Sequence, residues 1–231
     1  MAQESFRLKR KFQALTKSAN VIIIQRMDTN AKEYYQTIES RWQTEYPSST
    51  KMEQVWEFYR ECGYGDPQGT LKSLLNQVVW TKKRVLDLGC DRGLMLHFIA
   101  ENTAEIRPYG IDINRQAISA AKSLFPNYEF KRFDGVTIPY PDKHFDLVFV
   151  SAVAKHIRYE DRENFYREIK RVADFAYLIE IDATKQEAIV QHGWTFYHSH
   201  FEREFEKYFE PVTVIHEAGD LLGLYRCGEI A

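Results

Sequence analysis

The chain has 231 residues, with 31 basic against 33 acidic side chains and a formal net charge of -2. That length fits one α/β domain with an appended element, and a hydrophobic share of 44% is ordinary for a chain that buries a sizeable core. Balanced charge gives no support for a nucleic-acid partner, which asks for a basic excess or face. Cys62, Cys90 and Cys227 are too few for a disulfide framework, and without a CxxC pair or zinc-spaced histidines no metal is expected.

The basic start, with Arg7, Lys9, Arg10, Lys11, Lys17 and Arg26 against Glu4 and Asp28, reads most simply as a solvated helix face. A transit peptide or an anionic partner is the alternative. The apolar run Val21 to Ile24 is far shorter than a signal-peptide core or a membrane span. The expectation is a soluble cytoplasmic protein without a membrane partner. Residues 1–80 read as an aromatic-rich helical extension. Leu8, Phe12 and Leu15 keep helical spacing, as do Tyr34, Tyr35, Ile38 and Trp42 within 31–46, and Val55, Trp56 and Tyr59 within 52–59. The turn cluster Gly63 to Pro67 precedes another short helix through Leu71, Leu74, Leu75 and Val78.

From Arg84 the pattern becomes short apolar runs alternating with amphipathic helices. Strands are predicted at 85–88, 109–111, 128–133, 145–150 and 177–181, with helices through 94–99, 115–124, 162–172 and 200–209. A closing hairpin is predicted from 212–216 and 221–226. Alternation of this kind predicts a mostly parallel α/β sheet over 81–231, covered by helices on both faces. Ligands of such sheets sit at the carboxyl ends of the strands.

That edge carries the chemistry. Asp87 leads into the turn Gly89, Cys90, Asp91, Arg92, Gly93, whose glycines permit close backbone approach and angles forbidden to side chains. The helix that follows turns free N–H groups toward a ligand. Asp112 ends the second strand, where a carboxylate can accept both hydroxyls of a ribose. Asp134 and Gly135 end the third, placed for an exocyclic adenine amine. Singly, each aspartate is an ordinary turn former; together, at successive strand ends, they point to a nucleotide. A nicotinamide-dependent oxidoreductase is the nearest rival, but its Gly-x-Gly-x-x-Gly fingerprint is missing.

This order and spacing resembles class I S-adenosylmethionine methyltransferases, in particular those acting on small molecules, from about Arg84 to the C-terminus. The resemblance implies a Rossmann-like seven-stranded sheet with a reversed last strand, and S-adenosylmethionine as cofactor. It implies that Asp87, Gly89, Cys90 and Gly93 hold the methionine end, Asp112 the ribose, Ile113 the adenine face, and Asp134 with Gly135 the adenine amine. Ser151, at the end of the fourth strand, would line the methyl region. Two departures stand out. Asp91 replaces the usual glycine, and Ala173 to Ala176 replaces the family's Lys-Pro-Gly-Gly turn, which reads as a shortened surface loop.

Methyl transfer needs an in-line acceptor, and positioning supplies much of the rate. His156 is the leading candidate for a base or acceptor contact, with a helix-start hydrogen bond as its plainer role. His198 and His200 follow as catalytic candidates, with solvation or capping as their default. Tyr34, Tyr35, Trp194 and Tyr197 are candidate acceptor contacts, although helical spacing makes the N-terminal aromatics core residues first. The N-terminal helices are expected to act as a lid. The reading is transfer to oxygen or nitrogen of a small-molecule acceptor. A non-catalytic methyltransferase-like subunit and an RNA or protein methyltransferase are the alternatives, and oligomeric state is left open.

Overall fold

The structure, a computed structural model, describes residues 30–45, 51–61, 65–78, 83–183, 185–191 and 194–228, with backbone alone at 40–45, 58, 191 and 194. The basic segment and the run at Val21 lie outside the described residues. Three helices come first: α1 (Ala31–Glu45), α2 (Met52–Glu61) and α3 (Pro67–Leu75). Asp66 starts α3 by accepting the Gly69 N–H at 3.0 Å, and Pro67 occupies the first turn, where a missing N–H costs nothing.

The alternating region follows as β1 (Arg84–Leu88), α4 (Leu94–Glu101), β2 (Arg107–Asp112), α5 (Arg115–Leu124), β3 (Glu129–Arg132), β4 (Phe145–Ser151), α6 (Arg162–Val172) and β5 (Ala173–Ile181). The chain continues through β6 (Glu187–Gln191), β7 (Trp194–His198), α7 (Phe201–Phe205), β8 (Glu210–Glu217) and β9 (Asp220–Arg226). Seven strands form one sheet in the order β3-β2-β1-β4-β5-β9-β8, and β6 and β7 form a separate antiparallel hairpin. The strands from β3 to β5 are parallel, and β9 runs against both β5 and β8. Strand order reverses between β2–β1 and β4, so the carboxyl end of β1 is the switch point. The reversed-last-strand α/β sheet predicted from the sequence is therefore what forms.

Alternation along the strands sorts the core into two layers. Leu86, Leu88, Val148 and Val150 pack with Phe165, Tyr166, Phe201 and Phe205, while Val85, Leu147 and Phe149 pack with Leu96, Ile99 and Ile118. The N-terminal helices enter both layers, Tyr35 the first and Trp56, Leu71, Leu74 and Leu75 the second. Each fully buried large side chain contributes about 1.5–3 kcal/mol.

Three local expectations are corrected. Ala173 to Ala176 is not a loop: α6 ends at Val172 and β5 begins at once, with Ala173 paired to Phe145. The helix expected over 200–209 is α only from Phe201 to Phe205. Beyond it, mixed bonds from Tyr208 and Phe209 back to the Phe205 carbonyl keep Phe209 buried. The β6–β7 hairpin was not foreseen.

That hairpin is tied down by Arg162, whose side chain is 4% exposed. Its guanidinium donates to the carbonyls of Ala154, Ile157 and Tyr197 and pairs with Glu204 at 2.8 Å. One buried cation thus joins the segment after β4, the hairpin and α7. Removing one member of a buried pair strands the other, at a cost of about 3–5 kcal/mol. Arg162→Ala should lose stability on that scale in urea unfolding. Arg167→Ala, which breaks an exposed pair with Glu163, should change it by less than about 1 kcal/mol. Equal effects would contradict this account of the hairpin.

Candidate active site

The β1 turn is built from three left-handed residues, Gly89 at φ 84°, Asp91 at φ 44° and Gly93 at φ 77°. Glycine is required at 89, where a Cβ would lie 2.4 Å from Val153 Cγ2. Asp91 accepts a conformation that costs an L-residue roughly 1–2 kcal/mol, and its N–H is held by Asp112 Oδ2 at 2.9 Å. The N–H groups of Gly89 and Cys90 bind the Ile111 carbonyl at 2.8 and 3.0 Å, fastening the turn to β2. The Cys90 thiol turns inward: it is buried, and burial raises its pKa well above the usual range. Cys90 therefore offers this edge only its backbone.

Three carboxylates meet here. Asp87 is 3% exposed, and its Oδ2 has no hydrogen-bond partner among the described residues. Burial first, then the charges of Asp112 and Asp91, push its pKa up to about 8, against the opposing Leu96 N–H. Burial also lifts Asp112 to about 6, although the N–H groups of Asn114 and Asp91 work the other way. Asp112 stands at the end of β2 with Oδ1 accepting from Asn114 at 2.7 Å, and each of its oxygens retains a lone pair for a further donor. An orphaned acid beside two more is a site shaped for a cation with N–H or O–H donors.

Asp134 follows β3 and accepts from Val136 and Thr137, both at 2.9 Å. Burial works to raise its pKa, but those N–H groups and Lys32 hold it below the usual carboxylate range. Lys32 of α1 reaches Asp134 Oδ2 at 3.0 Å. Tyr35 covers Gly135 so closely that a Cβ there would lie 2.6 Å from the ring. Ile113 packs at the border of the first core layer, which includes Tyr35. At β4, Ser151 Oγ is 3.1 Å from the Tyr59 hydroxyl of α2. The helices α1 and α2 thus touch three of the predicted cofactor positions.

The acceptor candidates divide. The Tyr34 hydroxyl lies 3.1 Å from that of Tyr197 on β7, with the Arg158 guanidinium 4.6 Å over the Tyr34 ring. Tyr35 is buried instead, its hydroxyl donating to Asp161 at 3.0 Å. Burial, with help from Lys155 and His198, lowers the His156 pKa to about 3, so its ring is neutral near pH 7 and a weak base. The ring packs 5.2 Å from Phe196. His198 is lowered too, chiefly by burial, and its carbonyl accepts from Tyr159 at 2.8 Å. His200 lines a cleft of about 470 Å³ together with Tyr159, Arg162, Arg203 and Glu204. The side chains of Trp42 and Trp194 lie outside the described part. Sequence reasoning missed Lys32 and Tyr59, which reach the site from distant positions in the chain, and Arg158, which lies two residues after His156. It also missed the hairpin itself, although two β-rich runs around Gly193 carried the signal.

Residues 85–174 match the family model for a methyltransferase domain. The observed strand order agrees with that match over this segment. The chain is 34% identical over 97 residues to ajmaline N-methyltransferase of Rauvolfia serpentina, an alignment spanning 39% of this chain and 32% of that protein. It is 30% identical over 92 residues to a fatty-acid O-methyltransferase of Mycolicibacterium smegmatis, across 39% and 33% of the two chains. The chain thus spans about a third of the length of these curated relatives. In fold it resembles the Burkholderia thailandensis 1,6-didemethyltoxoflavin-N1-methyltransferase, solved with 1,6-didemethyltoxoflavin and S-adenosylhomocysteine. The TM-score is 0.65 at 14% identity, covering 89% of this chain and 94% of that one.

The raised Asp87 pKa has a testable sign. In the unfolded chain this acid titrates near the ordinary value of 3.8, against about 8 in the fold. The native state therefore favours the protonated form, and its stability falls as pH rises from about 4 to about 8. Asp87→Asn, neutral throughout, should raise the melting temperature of the ligand-free protein. The gain should grow across that window and level off above it. A melting temperature that drops equally at every pH would contradict the assignment.

Proposed function

We propose that the protein transfers a methyl group from S-adenosylmethionine to an oxygen or nitrogen of a small-molecule acceptor. The observation that carries this reading is the unpartnered, buried oxygen of Asp87 within the ring formed with Asp91 and Asp112. The donor set fits the cofactor. Asp87 would pair with its ammonium, Asp112 would accept from the ribose hydroxyls, and Asp134 would accept from the adenine amine. The bound cofactor supplies an electrophilic methyl on a sulfonium, which an acceptor lone pair takes up in line.

The chain's own contribution is then binding, orientation and exclusion of water. Well-oriented reactants alone save about 7–11 kcal/mol of barrier, so a strong base is not required. That agrees with a His156 held neutral and weakly basic. Tyr34, Tyr197 and Phe196 would supply an aromatic wall for the acceptor, with the Tyr34 and Tyr197 hydroxyls as its polar handles. Relatives that methylate nitrogen and oxygen support either acceptor atom.

The helices α1 and α2 would serve as a lid. Lys32 holds the carboxylate that the adenine amine would use, so cofactor entry requires this exposed pair to open. An exposed pair is worth about 0–1 kcal/mol, which makes opening easy.

Calorimetry tests the reading. A charge-assisted hydrogen bond contributes about 1.5–3 kcal/mol, so Asp112→Ala should weaken S-adenosylmethionine binding about tenfold or more. Hydrogen exchange with S-adenosylhomocysteine should show added protection reaching Tyr34 and Tyr59. Unchanged affinity would remove the ribose role, and protection confined to 84–151 would remove the lid.

A further inference from the structure

The geometry points to a divalent-cation site at the carboxyl edge of the sheet, toward its β8 end, formed by Asp182 after β5, Glu202 of α7 and His216 of β8. One donor atom from each of these side chains lies within 4.8 Å of the others. Glu202 and His216 already approach to 3.2 Å, and the Glu202 N–H reaches Asp182 Oδ1 at 3.4 Å. Asp182 is itself anchored, its N–H donating to the Gly219 carbonyl in the β8–β9 turn at 3.3 Å.

A second observation comes from β9, the strand paired with both β5 and β8. Tyr225 of β9 is fully buried, and its hydroxyl has no hydrogen-bond partner among the described residues. The ring lies along the strand, with the hydroxyl over Gly223, where any Cβ would meet the hydroxyl oxygen at 2.8 Å. Apart from burial, the groups acting on that hydroxyl are the carboxylates of Glu202, Glu206 and Asp182. A buried hydroxyl left unsatisfied costs about 1–3 kcal/mol.

A plain ion pair explains less. One imidazole facing two carboxylates leaves negative charge uncompensated and gives Tyr225 nothing to bond. A divalent ion neutralises both carboxylates. Three protein donors leave a coordination position for water, which can satisfy a nearby hydroxyl. One imidazole with two carboxylates suits Zn²⁺ or Mn²⁺ better than Mg²⁺ or Ca²⁺. The donors must draw together by roughly an ångström to reach bonding distances of about 2.0–2.2 Å. The half-exposed His216 and Glu202 side chains can make that movement. The ion would join the end of β5, α7 and β8, and so brace α7 behind the acceptor-side hairpin.

The test uses the full chain after treatment with EDTA, titrated calorimetrically with Zn²⁺ alone and with Mn²⁺ alone. One equivalent of at least one ion should bind and raise the melting temperature. His216→Ala and Asp182→Asn should each weaken that binding about tenfold or more. Melting curves in EDTA show that the variants are folded. Failure of both ions to bind at one equivalent overturns the site. Binding that survives both substitutions places the metal on other histidines and overturns it equally.

Discussion

Asp87, Asp91 and Asp112 crowd one turn at the carboxyl end of β1, and burial beside the other two acids favours the protonated form of Asp87. Asp112 secures the turn by holding the Asp91 N–H, while Asp87 is buried with an oxygen that no group among the described residues satisfies. Such an arrangement destabilises the ligand-free fold and is relieved by a ligand bearing positive charge and hydrogen-bond donors. The core on either side of β1 makes this tolerable. Leu86 and Leu88 face one layer, Val85 the other, and all are essentially inaccessible. Burial thus holds the acid in place and creates the demand for its partner.

The same edge is closed from both ends of the chain. From one side, α1 and α2 bring Lys32, Tyr35 and Tyr59 against Asp134, Gly135 and Ser151. From the other, the β6–β7 hairpin brings Tyr197 to Tyr34, and buried Arg162 fixes the hairpin to the segment after β4. The contacts differ in kind: the Lys32 pair is exposed and weak, whereas Arg162 is buried and expensive to break. The hairpin is therefore held more firmly to the sheet than Lys32 holds α1.

The parallel sheet was legible because its central strands β1, β4 and β5 are buried and read as short apolar runs, and because aspartates and glycines mark strand ends. The bounds of α5 and α6 were legible too, since Asn114 caps one and the apolar spacing of the other is regular. Asp91 replaces the usual glycine and takes up the left-handed geometry of the turn, at φ 44°. What was not legible depends on distant contacts. Tyr35 reads like Tyr34 in sequence, yet one is sealed against Gly135 and Asp161 while the other meets Tyr197. Ala173 to Ala176 looked like a loop because the family's turn was missing. Its pairing with β4 shows that the helix simply runs into the strand. The Asp182, Glu202 and His216 trio is spread over 34 positions and has no spacing signature.

The central claim is that the acid beside the β1 turn stays protonated until a cationic ligand arrives. Calorimetric titration with S-adenosylmethionine at pH 7, repeated in buffers of different ionisation enthalpy, counts the protons exchanged on binding. With Asp87 near 8 in the free protein, close to one proton should be released per ligand bound, and almost none from Asp87→Asn. Binding without proton release, or with the same release from the variant, would contradict it.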